Sequence, residues 1–362
     1  MMKLIEPEIP EMSEYLDYLK QSYNDQQFSN FGPNVIALEK EIEHYTSLNR
    51  SACLVSSATS GLSATLLSLN VKGKVAIPAF TFMATAAAVI NAGCIPFAVD
   101  CDLDTLEMCP IELRKILESE QINAVIHVRS FGFCRDLRET EQLVKTNEIP
   151  LIIDAAASFG GKTVNNEIVG YAGTAEVFSL HATKPFAVGE GGLVLAEKEL
   201  ILKIKSIINF NIGSEDMSKN WGMNAKMSEF HAAVGRAALD KLDTVLLRRR
   251  KMAEIWHDEL RSLKGYLEVP DSIGYPSWQL FPVKLKKPLA HKIQSILLNQ
   301  NLVQTKVYYY PTINFHLPDN TSTPKSALLS HSILCFPIGK SVNKETIVNC
   351  INKLELILQD EF

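Results

Sequence analysis

The chain is predicted to be an α/β protein: a mostly parallel sheet covered by helices, followed by a smaller C-terminal α+β domain. Three observations predict this class. Short, continuously apolar runs recur between residues 52 and 196, as in strands buried on both faces. Segments with helical spacing of apolar residues separate most of them, which is the alternation of a sheet with crossover helices. After Gly192 that alternation gives way to long helices and isolated short strands.

The elements follow in order. Residues 1–30 are polar, with a short helix expected from Ser13 to Tyr23. Ser29-Asn30-Phe31-Gly32-Pro33 is a turn, and Asn34 is suited to cap the helix that carries Val35, Leu38, Ile42 and Tyr45. Strands are expected at Ala52–Val55, Val75–Ile77, Ile95–Val99, Ala124–Val128 and Leu151–Ile153, and two more at Ala175–Leu180 and Leu193–Ala196. Helices are expected at Thr59–Leu69, Thr81–Asn91, Ile111–Glu118, Leu137–Thr146 and Lys198–Asn209. Asn211–Trp221 reads as a polar loop. A long amphipathic helix starts near Lys226 and runs toward Trp256, with a break expected between Leu239 and Asp243. Beyond it, strands at Trp278–Val283 and Val303–Tyr309 alternate with helices at Ala290–Leu298 and Lys344–Leu358. The expected division is a large domain over 1–240, with an N-terminal arm, and a small domain over 241–362. No period of 20 to 50 residues repeats, which argues against a solenoid.

Composition excludes several classes. A chain of 362 residues can build a large core and a second, smaller domain. A net charge of -5 argues against a dedicated nucleic-acid binder. The basic run Arg248-Arg249-Arg250-Lys251 lies in a helical pattern and reads as a solvated helix face. The seven cysteines form no CxxC pair and no His/Cys cluster, so no metal site is expected, and free thiols suit a reducing compartment. The first ten residues lack a signal-peptide layout. Phe80–Val99 is the most apolar window, but Thr81, Thr85, Asn91, Gly93 and Pro96 interrupt it, so a buried helix and strand are expected there. A cytoplasmic protein without membrane or nucleic-acid partners is the expectation.

Chemistry concentrates at the ends of the expected strands, where open parallel sheets bind ligands. Lys184 lies between two apolar segments. Pro185 after it disfavours helical geometry at the lysine, and Gly189, Gly191 and Gly192 around Glu190 allow a sharp turn. It is either an ordinary lysine on a surface turn or an amine nucleophile activated by burial. Ser57-Ala58-Thr59 joins a strand to a helix, as in an anion site suited to phosphate or as in a plain N-cap at Thr59. The GxxxxGK[ST] and GxGxxG patterns are absent there. Asp154 ends an apolar strand, where a carboxylate needs a cation or serves as a cap or structural hydrogen-bond acceptor. Phe82 lies near a helix start at a third strand end, as core or as an aromatic face. Arg129 follows the strand Ala124–Val128, so its partner is either a carboxylate within the protein or an anionic group of a substrate.

One cofactor answers a phosphate cradle, a buried carboxylate, an aromatic face and a loop lysine together. Pyridoxal 5'-phosphate (PLP) has a phosphate, a ring nitrogen that works as a pyridinium, a flat ring and an aldehyde. The segments Ser179-Leu180-His181-Ala182-Thr183-Lys184 and Gly189-Glu190-Gly191-Gly192 resemble the lysine segment of the DegT-type nucleotide-sugar aminotransferases. So do Ile77–Thr85, Asp154-Ala155-Ala156, Gly222–Glu229, Tyr310-Pro311 and Leu334-Cys335-Phe336-Pro337, in the family's order over nearly the whole chain.

The resemblance implies the fold type I architecture of PLP transferases. It also implies PLP-dependent amination of a nucleotide-linked keto-sugar, a 4-keto-6-deoxy or 3-keto hexose, with L-glutamate as donor. Such activity belongs to bacterial surface-polysaccharide or deoxyaminosugar biosynthesis. Lys184 would bond the cofactor aldehyde and shuttle the proton, Asp154 would pair with the ring nitrogen, and Phe82 would stack on the ring. The backbone of Ala58 with Thr59 and Ser179 would hold the phosphate. Asn224 would reach it from the neighbouring subunit of a homodimer with shared sites. Phe31, Arg129 and Tyr310 are the candidate substrate contacts. Three positions depart from the family pattern: Ile153 replaces a usual Glu, Ala157 a usual Gln, and Arg129 a usual His. The alternatives are a PLP-dependent dehydratase or eliminase on a similar sugar, or a non-catalytic sensor. Relatives that dehydrate the sugar carry His in place of the lysine, and Lys184 argues against that branch.

Overall fold

A computed structural model describes residues 1–212, 221–271, 273–317 and 322–362. Helices α1 (Met12–Asn24) and α2 (Pro33–Thr46) precede the first strand. Then come β1 (Ser51–Val55), α3 (Ala58–Ser68), β2 (Lys74–Pro78), α4 (Met83–Asn91), β3 (Ile95–Val99), α5 (Pro110–Ser119) and β4 (Ile122–Val128). They are followed by α6 (Arg138–Thr146), β5 (Leu151–Asp154), β6 (Ala175–Ser179), β7 (Gly192–Ala196) and α7 (Lys198–Ile207). The long helix α8 (Glu229–Leu260) leads to β8 (Leu267–Glu268), β9 (Phe281–Leu285), α9 (Ala290–Asn299) and β10 (Lys306–Val307). The chain ends with α10 (Pro324–Ser332), β11 (Ile333–Phe336) and α11 (Lys344–Glu361).

The first seven strands form one sheet in the order β1-β7-β6-β5-β4-β2-β3. Strands β3, β2, β4, β5 and β6 pair in parallel, while β7 is antiparallel to both β6 and β1. The sheet is therefore mostly parallel, as expected, with one reversed strand. Both faces are buried, and successive residues alternate between them. Ala52 and Leu54 of β1 and Leu193 and Leu195 of β7 enter one core with α2 and the first half of α8. Cys53, Val55 and Val194 enter another with α3, α4 and α7. That two-residue alternation with no polar face is what makes these strands read as unbroken apolar runs.

Residues after α8 add a four-stranded sheet in the order β10-β11-β9-β8, antiparallel throughout. Its core includes Phe281, Val283, Leu334 and Phe336, covered by Leu354 and Leu358 of α11. Helix α8 joins the two cores: Leu242 and Leu246 pack in the first, Met252, Ala253, Trp256 and Leu260 in the second. The expected division at 240/241 falls within this helix.

Several sequence expectations are corrected. Helix α8 is unbroken over 32 residues. Two acids in the stretch where a break was expected accept hydrogen bonds from helices alongside, Asp240 from the Tyr18 hydroxyl at 2.9 Å and Asp243 from the Tyr45 hydroxyl at 2.8 Å. The cap of α2 is Gly32 with Pro33 at the first helical position, and Asn34 is buried in the first turn. The capping oxygens come from Glu229, whose carboxylate accepts from the amides of Asn34 (2.7 Å) and Val35 (3.0 Å). Gly32 is required there, because a Cβ would come within 2.7 Å of the Glu229 carboxyl carbon. The basic run is not wholly solvated, since Arg249 is buried and paired with Glu8 at 3.2 Å. The strands expected at Trp278–Val283 and Val303–Tyr309 begin later or are shorter, at β9 and β10. Within the expected loop Asn211–Trp221, residues 213–220 lie outside the described residues. Among the described residues, no helix is long and apolar enough to cross a membrane.

Candidate active site

The carboxyl ends of β4, β5 and β6 and the start of β7 meet at one edge of the large sheet. Register places Val128 beside Asp154, Asp154 beside Val177, and Ser179 beside Gly192, which in turn pairs with Val55. The segment following each strand therefore opens into the same space. A cavity of about 330 Å³ lies there, lined by Ala58, Thr59, Phe82, Asp154, Ser179 and Lys184 among others. The far wall comes from the C-terminal half of the chain, through Gln279, Tyr308 and Tyr309.

Asp154 is the last residue of β5 and is 6% exposed. Its Oδ2 accepts from the Thr85 hydroxyl at 2.8 Å and its Oδ1 from the Ala156 amide at 3.2 Å. Thr81 Oγ1 lies 3.0 Å from Thr85 Oγ1. A hydroxyl carries one proton, so with Thr85 donating to the carboxylate, Thr81 donates to Thr85. Burial raises the Asp154 carboxyl above its ordinary range, against the hydrogen bonds from Thr85 and Ala156 and the charge of Lys184. A cationic group beside it would reverse that shift.

Lys184 enters the cavity from the β6–β7 loop. Burial pushes its amine down to about 8, with Asp154 acting in the opposite sense. Its Nζ donates to Gln279 Oε1 at 2.9 Å. Gln279 is a site residue that sequence reasoning missed. It lies 95 positions from the lysine and carries no local motif.

The N-terminus of α3 supplies the anion-binding corner. Ser57, rather than Thr59, is the N-cap, accepting from Ser60 N at 3.1 Å. The Gly61 amide bonds to the Ser57 carbonyl at 3.0 Å. The Ala58 and Thr59 amides precede the first intrahelical bond, and both residues line the cavity. Gly192 is needed at the mouth of this corner: a Cβ would come within 2.5 Å of the Ser57 carbonyl carbon and 2.6 Å of Ala58 N. Ser179 Oγ accepts from the His181 amide at 3.2 Å. Phe82 is 59% exposed, so it is not core, and its ring is at the cavity edge. These residues fit PLP: a buried carboxylate for a pyridinium, an amine for an aldehyde, and open helix amides for a phosphate.

Arg129 borders the cavity, but its guanidinium is buried and turned away. Its NH2 group lies 3.4 Å from Glu176 Oε1 and its NH1 group donates to the Arg135 carbonyl at 2.7 Å. The guanidinium thus has a carboxylate partner within the protein, the first of the two partners expected from the sequence. Glu176 lies directly beside Ile153 in the β5–β6 register. The carboxylate absent at Ile153 is supplied, on the same sheet face, by the neighbouring strand. Ala157, in place of a Gln, lines the cavity.

Phe31, Asn224 and Tyr310 are not brought to this cavity by their own chain. Phe31 takes φ 61° in the turn before α2, with the Lys205 amine 6.0 Å from its ring. Asn224 Oδ1 accepts from Lys226 Nζ at 2.8 Å. Tyr310 is exposed, edge-on to His291 (4.6 Å) and His331 (4.8 Å).

The chain is similar to known proteins along most of its length. The chain is 27% identical over 97% of its length to a dTDP-4-amino-4,6-dideoxy-D-glucose transaminase of Shigella dysenteriae, covering 98% of that protein. It is 32% identical over 83% of its length to a UDP-4-amino-4,6-dideoxy-N-acetyl-beta-L-altrosamine transaminase of Campylobacter jejuni, covering 82% of it. Among solved structures, DesI in the presence of its TDP-sugar product matches with a TM-score of 0.90 and 26% identity, over 97% of this chain and 91% of that one. A Bacillus cereus protein assigned as a PLP-dependent aminotransferase matches with a TM-score of 0.90 and 27% identity, over 98% and 99%. The model of the DegT/DnrJ/EryC1/StrS aminotransferase family matches residues 11–355, and the chain belongs to that family.

Proposed function

We propose that this protein is a PLP-dependent aminotransferase that places an amino group on a keto carbon of a nucleotide-linked hexose, a 4-keto-6-deoxy or 3-keto sugar, with L-glutamate as donor. The observation that carries the reading is the meeting of Lys184 and Asp154 in one cavity that the N-terminus of α3 also lines. Sugar-nucleotide transaminases among the relatives support the substrate class.

PLP, when bound, supplies an electron sink for the carbanion left when a proton leaves the amine-bearing carbon. The chain's own residues do the rest. The Asp154 carboxylate holds the proton on the ring nitrogen, and Thr85, backed by Thr81, orients that carboxylate. The lowered pKa of Lys184 keeps a useful share of free amine near neutral pH, for attack and for proton transfer. The amides of Ala58 and Thr59, with Ser179, hold the phosphate. Phe82, at the cavity lining, would offer an aromatic face to the cofactor ring.

A homodimer with shared sites fits the positions of Asn224, Phe31 and Tyr310, which lie outside their own chain's cavity. Exposed Trp221, Phe210 and Phe230 support such an association. Free thiols at all seven cysteines and a nucleotide-activated substrate suit the cytoplasm.

The test is incubation of purified protein with glutamate and a panel of dTDP-, UDP- and GDP-linked keto-sugars, followed by mass spectrometry. An amino-sugar should form in equal amount with 2-oxoglutarate. Loss of water from the sugar with no 2-oxoglutarate would assign the dehydratase reading instead.

A further inference from the structure

The Lys184 amine does not rest on a carboxylate. Asp154 and Glu190 both line its cavity, yet the nitrogen donates to the side-chain oxygen of Gln279 at 2.9 Å. An ammonium only donates, so the amide must present its oxygen there. That choice has a chemical consequence. A carboxylate partner strongly favours the charged amine, whereas an amide oxygen accepts N–H from both the charged and the neutral amine and favours the charged one only modestly. The neutral amine bound this way keeps its lone pair free.

Gln279 is itself held at several points. Its main-chain N–H donates to the Phe131 carbonyl at 3.2 Å. Its main-chain carbonyl accepts from Arg249 NH1 at 3.2 Å, and the Trp278 carbonyl accepts from the same group at 2.9 Å. Trp278 takes φ 55°, a left-handed conformation costly for a bulky residue unless its surroundings hold it. Arg249 supplies that hold. It is 3% exposed and is secured in turn by Glu8 of the N-terminal segment at 3.2 Å. The chain of contacts runs from Glu8 through Arg249 and the backbone of residues 278 and 279 to the amide that meets Lys184. The brace fixes the backbone from which the Gln279 side chain reaches the end of the lysine stem.

We propose that Gln279 is the resting partner of the Lys184 amine: a neutral acceptor that parks the nitrogen at one place in the cavity whenever it is released, while leaving it able to take up and return a proton. Arg249 and Glu8 are positioning residues that act through Gln279. The proposal rests on the aminotransferase reading for its purpose, because only there must the lysine be freed and work as a base between half-reactions. The other titratable or charged groups at the cavity are Asp154, Arg129, His181, Glu190, Tyr308 and Tyr309. Arg129 is engaged by Glu176, His181 by Thr183 at 2.9 Å, and Asp154 by Thr85.

The experiment uses cofactor-free protein. Trace acetic anhydride labels lysines at rates set by their free-amine fraction, and mass spectrometry follows the Lys184 peptide across pH. The wild-type midpoint should lie near 8. Gln279→Glu should raise it by roughly one pH unit or more. Gln279→Met, which removes the acceptor and keeps the volume, should lower it, and in the loaded enzyme should lower kcat while leaving KM for glutamate within about twofold. An unchanged midpoint in either variant, with wild-type circular dichroism, would overturn the proposal. If Gln279→Glu does not fold, Gln279→Met decides alone. The labelling needs no substrate, so shifted midpoints in a protein that aminates no sugar would sink the functional reading and leave the role of Gln279 standing. Transamination with unmoved midpoints would do the reverse.

Discussion

Lys184 and Asp154 share one cavity without forming an ion pair: the amine is hydrogen-bonded to Gln279 at 2.9 Å and the carboxylate to Thr85 at 2.8 Å. Burial moves both in the direction of their neutral forms, the lysine down to about 8 and the aspartic acid up. Each is held by a neutral partner at the place where a cofactor with an aldehyde and a ring nitrogen would need it.

Borohydride tests the first of these roles. Purified protein loaded with PLP should lose its visible absorption on reduction, and peptide mapping should find the reduced adduct on Lys184. An adduct on another lysine, such as Lys226, would overturn the assignment.

Asp154→Asn preserves shape and removes the charge that, in the proposed reaction, would hold the ring-nitrogen proton. Cofactor should still bind, while kcat falls on the order of a thousandfold, about 4 kcal/mol of barrier. Near-normal turnover would mean that the carboxylate serves only to anchor Thr85 and Ala156.

Lysine burial also has a stability signature in the cofactor-free protein. The folded-state pKa of Lys184 is depressed to about 8 from 10.5, so below pH 8 folding carries the cost of burying a charge that the unfolded chain keeps in water. Lys184→Met should therefore stabilise the cofactor-free fold at pH 7 by on the order of 2–3 kcal/mol. The gain should shrink as pH rises from about 8 and vanish above 10.5. Urea titrations at both ends of that range measure it, and a gain independent of pH would argue that packing alone is responsible.

Arg129 and Glu176 form a buried pair behind the cavity. Glu176→Gln or Arg129→Met leaves one charge buried alone and should cost about 3–5 kcal/mol of stability. Replacing both with apolar residues of similar volume should recover most of that loss. KM for glutamate and for the sugar nucleotide should stay unchanged in the Arg129→Lys enzyme, and a rise in either would return the guanidinium to the substrate site.

Hybrid dimers probe the shared site. Lys184→Ala chains and Asn224→Ala chains that fail to hold cofactor should each be inactive alone. Mixed dimers should regain part of the activity, because one of their two sites combines an intact lysine with an intact Asn224. Verified hybrids with no recovery would confine each site to a single chain.

Much of this molecule was legible in its sequence. Apolar runs marked the seven strands of the large sheet to within two residues at each end, because strands buried on both faces carry mostly apolar side chains, and a polar one such as Glu176 needs a buried partner. Asp154 stood out because a charge at the end of an apolar strand is costly unless something meets it, and Lys184 as a lone lysine between two apolar segments. The motifs around them carried the family resemblance. What the tertiary structure alone decided were partnerships between distant positions. Asn34 had the local character of a helix cap, yet the capping oxygens come from Glu229, 195 residues away. Leu239–Asp243 had the character of a break, yet tyrosines of two other helices meet its acids. Arg129 was ambiguous until sheet register set Glu176 beside Ile153. Gln279 had no local signal, because what matters about it is the 2.9 Å to Lys184. Periodicity and turn chemistry are properties of neighbours along the chain and can be read from it, whereas which distant polar groups meet depends on register and packing, which exist only once the whole chain has folded.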